Sequence, residues 1–315
     1  MITITRAPPY LTVQDAGRKH SRSFGVPAGG AMDFFALGAA NALVGNQIDA
    51  AGLEWALGGG SIKFEQDAVF SLGGATARAR LSGKVAAPCT TIYAQSGDEL
   101  AIEQIQSGRF LYVAVSGGID VPMILGSRST YLPGRFGGYR GRTLKSGDSL
   151  SLGSKSANSP MDGFHCAPHL LPSYGPGIVH VTRGTHADLF DEAAWRTLTE
   201  REYSVSGASD RTGYKLDGPA LANKAGSLPS EASCPGSIQI PGDGYPIALM
   251  SDAPTVGGYP KIAVVAAADL PILAQRSPGE TIRFELITIE QSQRALKRRV
   301  SDLHTISQLA ASSSR

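Results

Sequence analysis

Glycine and proline are the residues that most constrain what this chain can fold into. The 315 residues include 38 glycines and 19 prolines, which divide the sequence into short apolar runs. In the first half such runs recur about every ten residues, a spacing that is typical of antiparallel sandwiches and barrels. The runs lie at residues 61–64, 68–73, 77–81, 90–94, 99–103 and 110–116. The sequence therefore predicts a mainly β protein with a few short helices.

The chain is long enough for two compact halves, because 42% of its 315 residues are hydrophobic and can bury more than one average core. Between residues 153 and 177 the composition changes to Ser, Asn, Pro and His with little periodicity. We therefore expect an N-terminal β-rich half over residues 1–165 and a C-terminal β-barrel half over residues 166–290. Residues 291–315 are expected to form a basic, solvated helix that frays.

The clearest helix signal lies at residues 33–44. Asp33 can cap the first free N–H groups, the apolar residues that follow are spaced for one helical face, and Gly45 provides a stop. A second helix is predicted over residues 188–199. The last strand of the C-terminal half is predicted over residues 281–289.

Charge, cysteines and hydropathy exclude few functions. The formal net charge of +2 neither demands nucleic acid nor excludes an anionic small molecule. The three cysteines are far apart and odd in number, which favours reduced thiols. No apolar stretch reaches the roughly 18 residues that span a bilayer, so we expect a cytoplasmic protein without membrane contact. His165, Cys166 and His169 lack a second pair of ligands, and no metal site is predicted.

Two regions combine charge with glycine and have the composition of a binding site. Residues 12–18 (TVQDAGR) are followed by residues 25–33 (GVPAGGAMD), and residues 209–214 (SDRTGY) by residues 257–261 (GGYPK). Glycine lets a ligand approach the main chain, while the charged side chains supply polar contacts. We therefore expect a polar small molecule to be bound there.

Together with further strings, these regions resemble the biotin-dependent carboxyltransferase or allophanate hydrolase subunit 2 family. The resemblance covers most of the chain and rests on strings that occur in family order. They are residues 12–18, 25–33, 116–120 (SGGID), 125–131 (LGSRSTY), 137–142 (GGYRGR), 209–211 (SDR), 257–261 and 269–270 (DL). Any one of them can arise by chance, whereas the whole set in this order is specific.

The resemblance implies two β-barrel-like halves of the cyclophilin-like kind. It also implies one component of an ATP-dependent 5-oxoprolinase, which opens 5-oxoproline to glutamate and is active only in complex. The implied partners are a subunit 1 family protein, which is the B component of such an enzyme, and a protein of the A component. ATP is the implied cofactor. Because the chain has no P-loop motif, we expect ATP to be shared with or bound by the partner subunits.

Two other functions found in the family stay open. The chain can be the carboxyltransferase half of a biotin-dependent urea or amide carboxylase, with biotin carried on another protein. It can also be a non-catalytic regulator of the kind that KipA represents. The segment 252–256 (DAPTV) favours the regulator, because it lacks the basic and amide side chains that are common there in the family. Nucleic-acid binding is not expected, since the family has the arginine- and glycine-rich residues 135–142 without that role.

The resemblance and the residue chemistry together suggest a site. Lactam, urea and biotin ureido groups are planar N–C=O units whose oxygen gains negative charge during reaction and needs fixed donors. We expect Arg18, Arg211 and Lys261 to be catalytic cations near that oxygen. Asp15 and Asp210 are expected to orient these cations or to accept a proton. The expected substrate-binding residues are Gly29, Gly30, Ser209, Gly257, Gly258 and Tyr259.

The pattern also allows structural roles for some of these side chains. Asp15 and Arg18 can form a local ion pair that ties a turn to the barrel, and such pairs contribute little when exposed. Asp33 fits a helix cap better than an acid catalyst. The family commonly has a serine at Gly29, a methionine at Thr212 and an acid-glycine step where Glu231 and Ala232 stand.

Overall fold

The computed structural model describes residues 1–155, 162–171, 174–175, 177–223 and 228–313. Contacts between Cα atoms divide the chain into two compact units. The first comprises Met1–Arg18, Gly29–Pro172 and Val300–Arg315, and the second Lys19–Ala28 and Ser173–Arg299. This division differs from the boundaries expected from the sequence at residues 19–28 and at the C-terminal tail. Residues 156–161, 172–173 and 176 of the predicted connection lie outside the described residues.

The elements follow one another along the chain as a long series of strands with four α-helices among the described residues. The strands of the first unit are β1 (Ile2–Arg6), β2 (Tyr10–Gln14), β3 (Gly52–Ala56), β4 (Gly60–Phe64), β5 (Ala68–Leu81), β6 (Lys84–Val85), β7 (Ile92–Ala94), β8 (Glu99–Val115), β9 (Ile119–Asp120) and β10 (Ser149–Leu152). Those of the second unit are β11 (Ile178–Arg183), β12 (Glu202–Val205), β13 (Gly213–Asp217), β14 (Glu231–Ala232), β15 (Ser237–Gln239), β16 (Ile247–Leu249), β17 (Val256–Gly257), β18 (Lys261–Val265) and β19 (Thr281–Leu286). The helices are α1 (Phe34–Leu43), α2 (Glu192–Glu200), α3 (Leu270–Ala274) and α4 (Ile289–Ser312), and short 3-10 helices lie at Arg22–Phe24, Pro168–Leu170 and Ala187–Leu189.

A ten-stranded, barrel-like antiparallel sheet forms the first unit. Its main path runs β2-β3-β8-β4-β1-β10-β9, with β5 paired to β8 and the short strands β6 and β7 paired to β5. Apolar side chains from these strands form one core, in which Trp55, Phe64 and Phe70 are fully buried. The prediction of a mainly β fold is confirmed for this half.

Two of its strands are longer than the sequence predicts. Residues 68–73 and 77–81 form the single strand β5, and residues 99–103 and 110–116 lie in β8 or at its end. Glycine suggested a break in each case, but Gly74 and Gly108 have φ angles of 81° and 82° inside continuous strands. The β5–β8 register shifts near them, between Gly74 and Thr76 and between Thr76 and Ala77. These glycines therefore accommodate bulges that bend the strands without ending them.

Helix α1 forms where the sequence predicts it. The Asp33 side chain accepts a hydrogen bond from the Ala36 N–H at 2.9 Å, as an N-cap does. The helix is buried almost all round, and Gly73 of β5 faces it so closely that a Cβ there would lie 2.7 Å from the Ala36 carbonyl oxygen. The expectation that Asp33 caps this helix is thus met by its geometry.

The second unit is a closed barrel with strand order β11-β18-β15-β16-β13-β12-β19. The ring closes through parallel pairing of β11 with β19, while the other neighbouring strands pair antiparallel. Tyr203, Tyr214 and Phe284 are among the large side chains buried in this unit. A separate two-stranded ribbon pairs β14 with β17 and places Glu231 opposite Gly257.

The C-terminal tail is helical, and the expectation that it frays is wrong for residues up to Ser312. Helix α4 buries Leu303, Ile306 and Ala310, which follow a helical spacing of three and four residues. Leu303 and Ile306 join an apolar cluster with Phe35 and Leu43 of α1. Burial of each large aliphatic side chain contributes about 1.5–3 kcal/mol. These buried residues therefore stabilise the helix although most of its other residues are polar. No helix among the described residues is long and apolar enough to cross a membrane.

Candidate functional site

The carboxylate of Asp15 is an anchor for the loop that follows β9. Its Oδ1 accepts hydrogen bonds from the Gly17 N–H at 2.8 Å, from Ser127 Oγ at 2.6 Å and from Ser129 Oγ at 2.5 Å. Its Oδ2 accepts from the Arg128 N–H at 2.5 Å. Four donors fill most of the acceptor capacity of a carboxylate. Asp15 therefore joins residues 127–129 to the end of β2, and its predicted catalytic role stays a prediction.

Arg18 is buried in the same region, with 1% of its surface exposed. Its Nη2 donates to the Ser129 carbonyl oxygen, and its guanidinium lies 4.7 Å from the centre of the Phe136 ring. Gly137 must remain small because a Cβ there would collide with Nη2 of Arg18. The expected pairing of Arg18 with a substrate oxygen also stays a prediction.

Gly29 and Gly30 lie close to the Asp15 segment. Both have positive φ angles, 65° and 89°. A Cβ at Gly30 would lie 2.9 Å from the Gly17 nitrogen, and the neighbouring Ala31 N–H donates to the Asp15 carbonyl oxygen at 2.9 Å. The glycines thus permit a close approach of two backbone segments. That arrangement joins two of the strings on which the sequence resemblance rests.

A surface pocket of about 510 Å³ lies beside this cluster in the first unit. Ile124, Phe136 and Tyr139 supply its apolar surface, and Arg135 and Arg140 line it as well. The Phe136 side chain therefore both lines the pocket and packs against the buried guanidinium of Arg18.

A buried acid near α1 was missed by sequence reasoning. Glu54 accepts hydrogen bonds from the Met32 N–H at 2.7 Å, the Tyr112 hydroxyl at 2.9 Å and the Tyr10 hydroxyl at 3.2 Å. Burial, followed by the nearby carboxylate of Glu54, raises the pKa of Tyr112 well above its ordinary value. Tyr112 also accepts from the Asp33 N–H at 2.7 Å, so this network fixes the start of α1.

In the second unit, the string 209–211 forms a tight turn. Oδ1 of Asp210 accepts hydrogen bonds from the N–H groups of Thr212 at 2.8 Å and Gly213 at 3.3 Å. Asp210 is exposed, whereas Ser209 is buried and donates through Oγ to the Lys215 carbonyl oxygen at 3.2 Å. These contacts describe a local turn, and the roles predicted for Ser209 and Asp210 stay predictions.

Arg211 forms a bidentate ion pair with Asp252. Nε and Nη2 of Arg211 lie 2.9 Å from Oδ2 and Oδ1 of Asp252, and both side chains are buried. This pair holds the start of the altered segment 252–256. Arg22 contacts the same segment and donates to the carbonyl oxygens of Ala253 at 3.3 Å and Pro254 at 2.9 Å. Arg22 therefore brings a second guanidinium to the segment 252–256.

Lys261 lies in a polar cluster with Glu231 and His186. Lys261 is 3% exposed, and its Nζ contacts Oε1 of Glu231 in a hydrogen-bonded ion pair. Nε2 of His186 lies 3.5 Å from the same oxygen, and Oγ1 of Thr185 donates to it at 3.5 Å. The hydrogen bond from Lys261 lowers the pKa of the Glu231 carboxyl.

The backbone fixes the proton position on His186. The Lys261 N–H donates to Nδ1 of His186 at 3.1 Å, so Nδ1 is an acceptor and carries no proton. In the neutral ring the proton is then on Nε2, which faces Glu231. The cluster thus combines a buried cation, a carboxylate and an oriented imidazole, the side chains from which proton transfer and charge stabilisation are built.

Gln239 is the cross-strand partner of Lys261, in the pairing of β15 with β18. Within the described part of the chain its Nε2 has no hydrogen-bond partner, although the side chain is buried. The amide lies against Gly257, where a Cβ would come within 2.8 Å of Nε2. Gly258 is equally confined, since a Cβ there would lie 2.6 Å from the Leu228 carbonyl oxygen. The expected site residues Gly257 and Lys261 are thus brought together, whereas Tyr259 is 44% exposed.

His165, Cys166 and His169 do not form a metal site with other ligands among the described residues, where no cluster of three or more His, Cys, Asp and Glu side chains occurs. Nδ1 of His165 is hydrogen-bonded to Oγ1 of Thr90 at 2.9 Å. Cys166 packs in the apolar cluster beneath α1.

Comparison with known proteins gives a consistent result. Residues 24–286 match the family of the carboxyltransferase domain, subdomain A and B. The chain belongs to this family. It is 38% identical to the C subunit of 5-oxoprolinase from Escherichia coli (strain K12) over 311 residues, which cover 98% of both chains. It is 35% identical to the C subunit of 5-oxoprolinase from Haemophilus influenzae over 293 residues, 93% of both chains.

Membership in the carboxyltransferase family is also visible in the fold. The crystal structure of the Kluyveromyces lactis urea carboxylase superposes on this chain with a TM-score of 0.90 at 30% identity. The superposition covers 97% of this chain and 29% of the larger enzyme, so the chain spans less than a third of that protein.

The residues that sequence reasoning missed are those whose partners are distant in the chain. His186, Glu231 and Gln239 come from three separate segments. The pairing of β15 with β18 and of β14 with β17 places Gln239 and Glu231, and backbone hydrogen bonds with Lys261 place His186. The acidic position 231 was noticed as part of a family pattern, but only the structure shows that its carboxylate meets Lys261.

Proposed function

We propose that this chain is one component of an ATP-dependent 5-oxoprolinase and that, in complex with partner subunits, it takes part in opening 5-oxoproline to glutamate. Two bacterial proteins named as the C subunit of 5-oxoprolinase align with it over nearly their whole length. Such end-to-end similarity supports a shared role more strongly than similarity to one domain of a larger enzyme.

The observation that carries the proposal is the cluster of Lys261, Glu231 and His186. An enzyme that opens 5-oxoproline must hold an anionic, hydrogen-bonding substrate in a fixed position while the lactam reacts. Lys261 is a buried cation that attracts negative charge, and His186 presents an N–H donor whose tautomer is fixed by the backbone. Glu231 connects the two and is exposed enough to exchange protons with solvent or a partner.

The other predicted site residues have supporting roles in this proposal. Asp15 and Arg18 hold residues 127–129 beside the pocket lined by Phe136, and Arg211 holds the segment that begins at Asp252. These side chains keep glycine-rich backbone in place, and Gly257 leaves room for the Gln239 amide next to Lys261.

ATP enters this proposal through the partners. The chain carries no P-loop motif, and the lysine and histidine of the cluster are already engaged with Glu231. The proposed partners are the B component, a subunit 1 family protein, and the A component of the same enzyme. The complex, rather than this chain alone, is proposed to be active. A cytoplasmic location is proposed to go with this role.

The structural similarity to urea carboxylase favours one alternative. The chain would then be the carboxyltransferase half of a biotin-dependent enzyme, and the same cluster would face a urea-like substrate. Biotin would be carried on another protein.

Reconstitution distinguishes the two functions. The chain is purified with and without the subunits encoded beside its gene, and glutamate formation from 5-oxoproline and ATP is measured. Turnover that requires this chain is the expected result. A stable complex that forms no glutamate but transfers a carboxyl group to urea from a carrier protein whose biotin has been carboxylated would contradict the proposal and support the alternative.

A further inference from the structure

Several hydrogen-bond donors converge on one oxygen of Glu231. Nζ of Lys261, Nε2 of His186 and Oγ1 of Thr185 all face Oε1. The Nδ1 of His186 is engaged by the Lys261 N–H, so this ring also offers a donor and no acceptor to the cluster. The position of Oε1 is therefore surrounded by donors, the environment that an anionic oxygen requires.

The members of this cluster differ sharply in exposure. The Lys261 side chain is 4% exposed and that of His186 19%, whereas that of Glu231 is 43% exposed. Glu231 also belongs to a strand of two residues, paired with an equally short strand. A side chain held at the surface by so short an element is the easiest member to move.

Lys261 cannot lose an anionic partner without cost. A buried ammonium without a counter-charge is strongly destabilising, so any movement of Glu231 must be matched by arrival of another anion. A carboxylate is the group that replaces Glu231 most closely in charge and shape.

Gln239 supplies a donor that the protein itself leaves unused. Its Nε2 has no hydrogen-bond partner within the described part of the chain, and it lies beside Gly257. Gly257 is in turn the cross-strand partner of Glu231 in the β14–β17 ribbon. A buried amide group without a partner costs free energy, which a ligand recovers when it accepts the missing hydrogen bond.

We propose that Lys261, His186, Thr185 and Gln239 form a carboxylate-binding subsite, and that Glu231 occupies it until the carboxylate of the substrate displaces it. The inference rests on the proposed function and refines it, because 5-oxoproline is a lactam that carries a carboxylate. The subsite holds the carboxylate end of the molecule, and the lactam bond is directed away from Lys261.

Nuclear magnetic resonance on the full, nitrogen-15-labelled chain tests this subsite directly. The side-chain amide signal of Gln239 is assigned by its loss in Gln239→Leu. The chain is then titrated with 5-oxoproline and with 2-pyrrolidone, which has the same lactam ring and no carboxylate. We expect 5-oxoproline to shift the Gln239 signal and 2-pyrrolidone to leave it in place. No shift with 5-oxoproline, or equal shifts with both compounds, would overturn the proposal.

Two variants separate displacement from a purely structural ion pair. Glu231→Gln removes the internal competitor's charge and should tighten 5-oxoproline binding by about threefold or more, whereas weaker binding would contradict displacement. Gln239→Leu should weaken binding by about tenfold, the equivalent of one hydrogen bond to a charged group. Its melting temperature should not fall, because Gln239 Nε2 donates to no described residue. A fall in melting temperature without a change in affinity would assign Gln239 a structural role instead.

The reconstituted complex distinguishes failure of this inference from failure of the proposed function. Gln239→Leu should raise the KM for 5-oxoproline and leave kcat nearly unchanged, since the subsite binds a part of the substrate that does not react. Normal turnover with an unchanged KM would contradict the subsite alone. A Gln239 signal that responds to 5-oxoproline in a complex that forms no glutamate would contradict the enzymatic role alone.

Discussion

Arg211 and Asp252 form a buried, bidentate ion pair with both N–O distances at 2.9 Å. The backbone reinforces it, because the Asp252 N–H donates to the Arg211 carbonyl oxygen at 2.8 Å. A guanidinium with this geometry stabilises the two segments that it joins. The most direct role of Arg211 is therefore to fix the segment that begins at Asp252.

Removal of one partner of this pair should destabilise the protein. We expect Arg211→Ala to lower the free energy of unfolding by about 3 kcal/mol or more, because it leaves the Asp252 carboxylate buried and uncompensated. Urea denaturation followed by circular dichroism measures the change. Arg201→Ala, at an exposed arginine of the same unit, is the control and should have little effect. Equal stability of the two variants would show that the ion pair is not structural.

Gly258 and Gly257 should respond differently to substitution. Gly258→Ala places a Cβ 2.6 Å from a backbone oxygen, so we expect it to destabilise the second unit. Gly257→Ala instead meets the end of the Gln239 side chain at 2.8 Å, and it should reduce turnover more than stability. Gly242→Ala is the control, since a Cβ there has open space around it. Melting temperatures and turnover of the three variants test this order, and similar effects at all three positions would contradict it.

The Asp15 anchor makes a prediction for the first unit. Asp15→Ala leaves the donors of Ser127, Arg128 and Ser129 without their shared acceptor, and we expect a loss of about 2–3 kcal/mol in the free energy of unfolding. Faster amide hydrogen exchange at residues 127–130 should accompany it. Asp120→Ala removes an exposed partner of Arg128 and should change stability little. Unchanged exchange in Asp15→Ala would show that the loop does not depend on this carboxylate.

The cysteines should differ in reactivity. Burial raises the pKa of Cys89 to about 12 and that of Cys166 to about 11, whereas Cys234 is exposed. A disulfide reagent near pH 8 should therefore modify Cys234 rapidly in the native chain and the other two only after unfolding. Cys234→Ser should abolish the rapid phase, and a rapid phase that persists in this variant would contradict the structure.

Acid should weaken the pairing of Glu231 with Lys261. The hydrogen bond from Lys261 places the folded-state pKa of Glu231 below its unfolded value. The pair therefore stabilises the fold above the unfolded pKa, and this contribution is lost as pH falls through the folded pKa. The melting temperature of the wild type should exceed that of Glu231→Gln by a constant amount at neutral pH, and the difference should shrink below about pH 4. A difference independent of pH would show that charge does not contribute.

Local patterns in the sequence predicted local structure well. The Asp33 cap and the apolar residues after it predicted α1, and the short apolar runs predicted most of the longer strands of the ten-stranded sheet. Gly74 and Gly108 were wrongly interpreted as breaks between strands, because a bulge and a turn both favour glycine with a positive φ angle. The tail was wrongly expected to be solvated and frayed. Leu303 and Ile306 have helical spacing, but they are isolated apolar residues among many polar ones.

The site was only partly predictable, because its contacts are non-local. Lys261 and Gly257 were identified through charge and glycine in one string, but His186 and Gln239 reach Lys261 only through strand register and backbone hydrogen bonding. Arg22, which binds the carbonyl oxygens of residues 253 and 254, is more than 200 residues distant in sequence. No pattern within a short window contains such pairs.

Two lysine variants in the reconstituted complex test whether the cluster around Lys261 is the functional site. Lys261→Met removes the buried cation of the cluster, while Lys215→Met removes an exposed lysine from the same unit. We expect Lys261→Met to reduce ATP-dependent glutamate formation from 5-oxoproline by about 100-fold or more, with the complex still assembled, and Lys215→Met to retain normal turnover. Full turnover in assembled Lys261→Met would contradict the assignment of this cluster as the functional site.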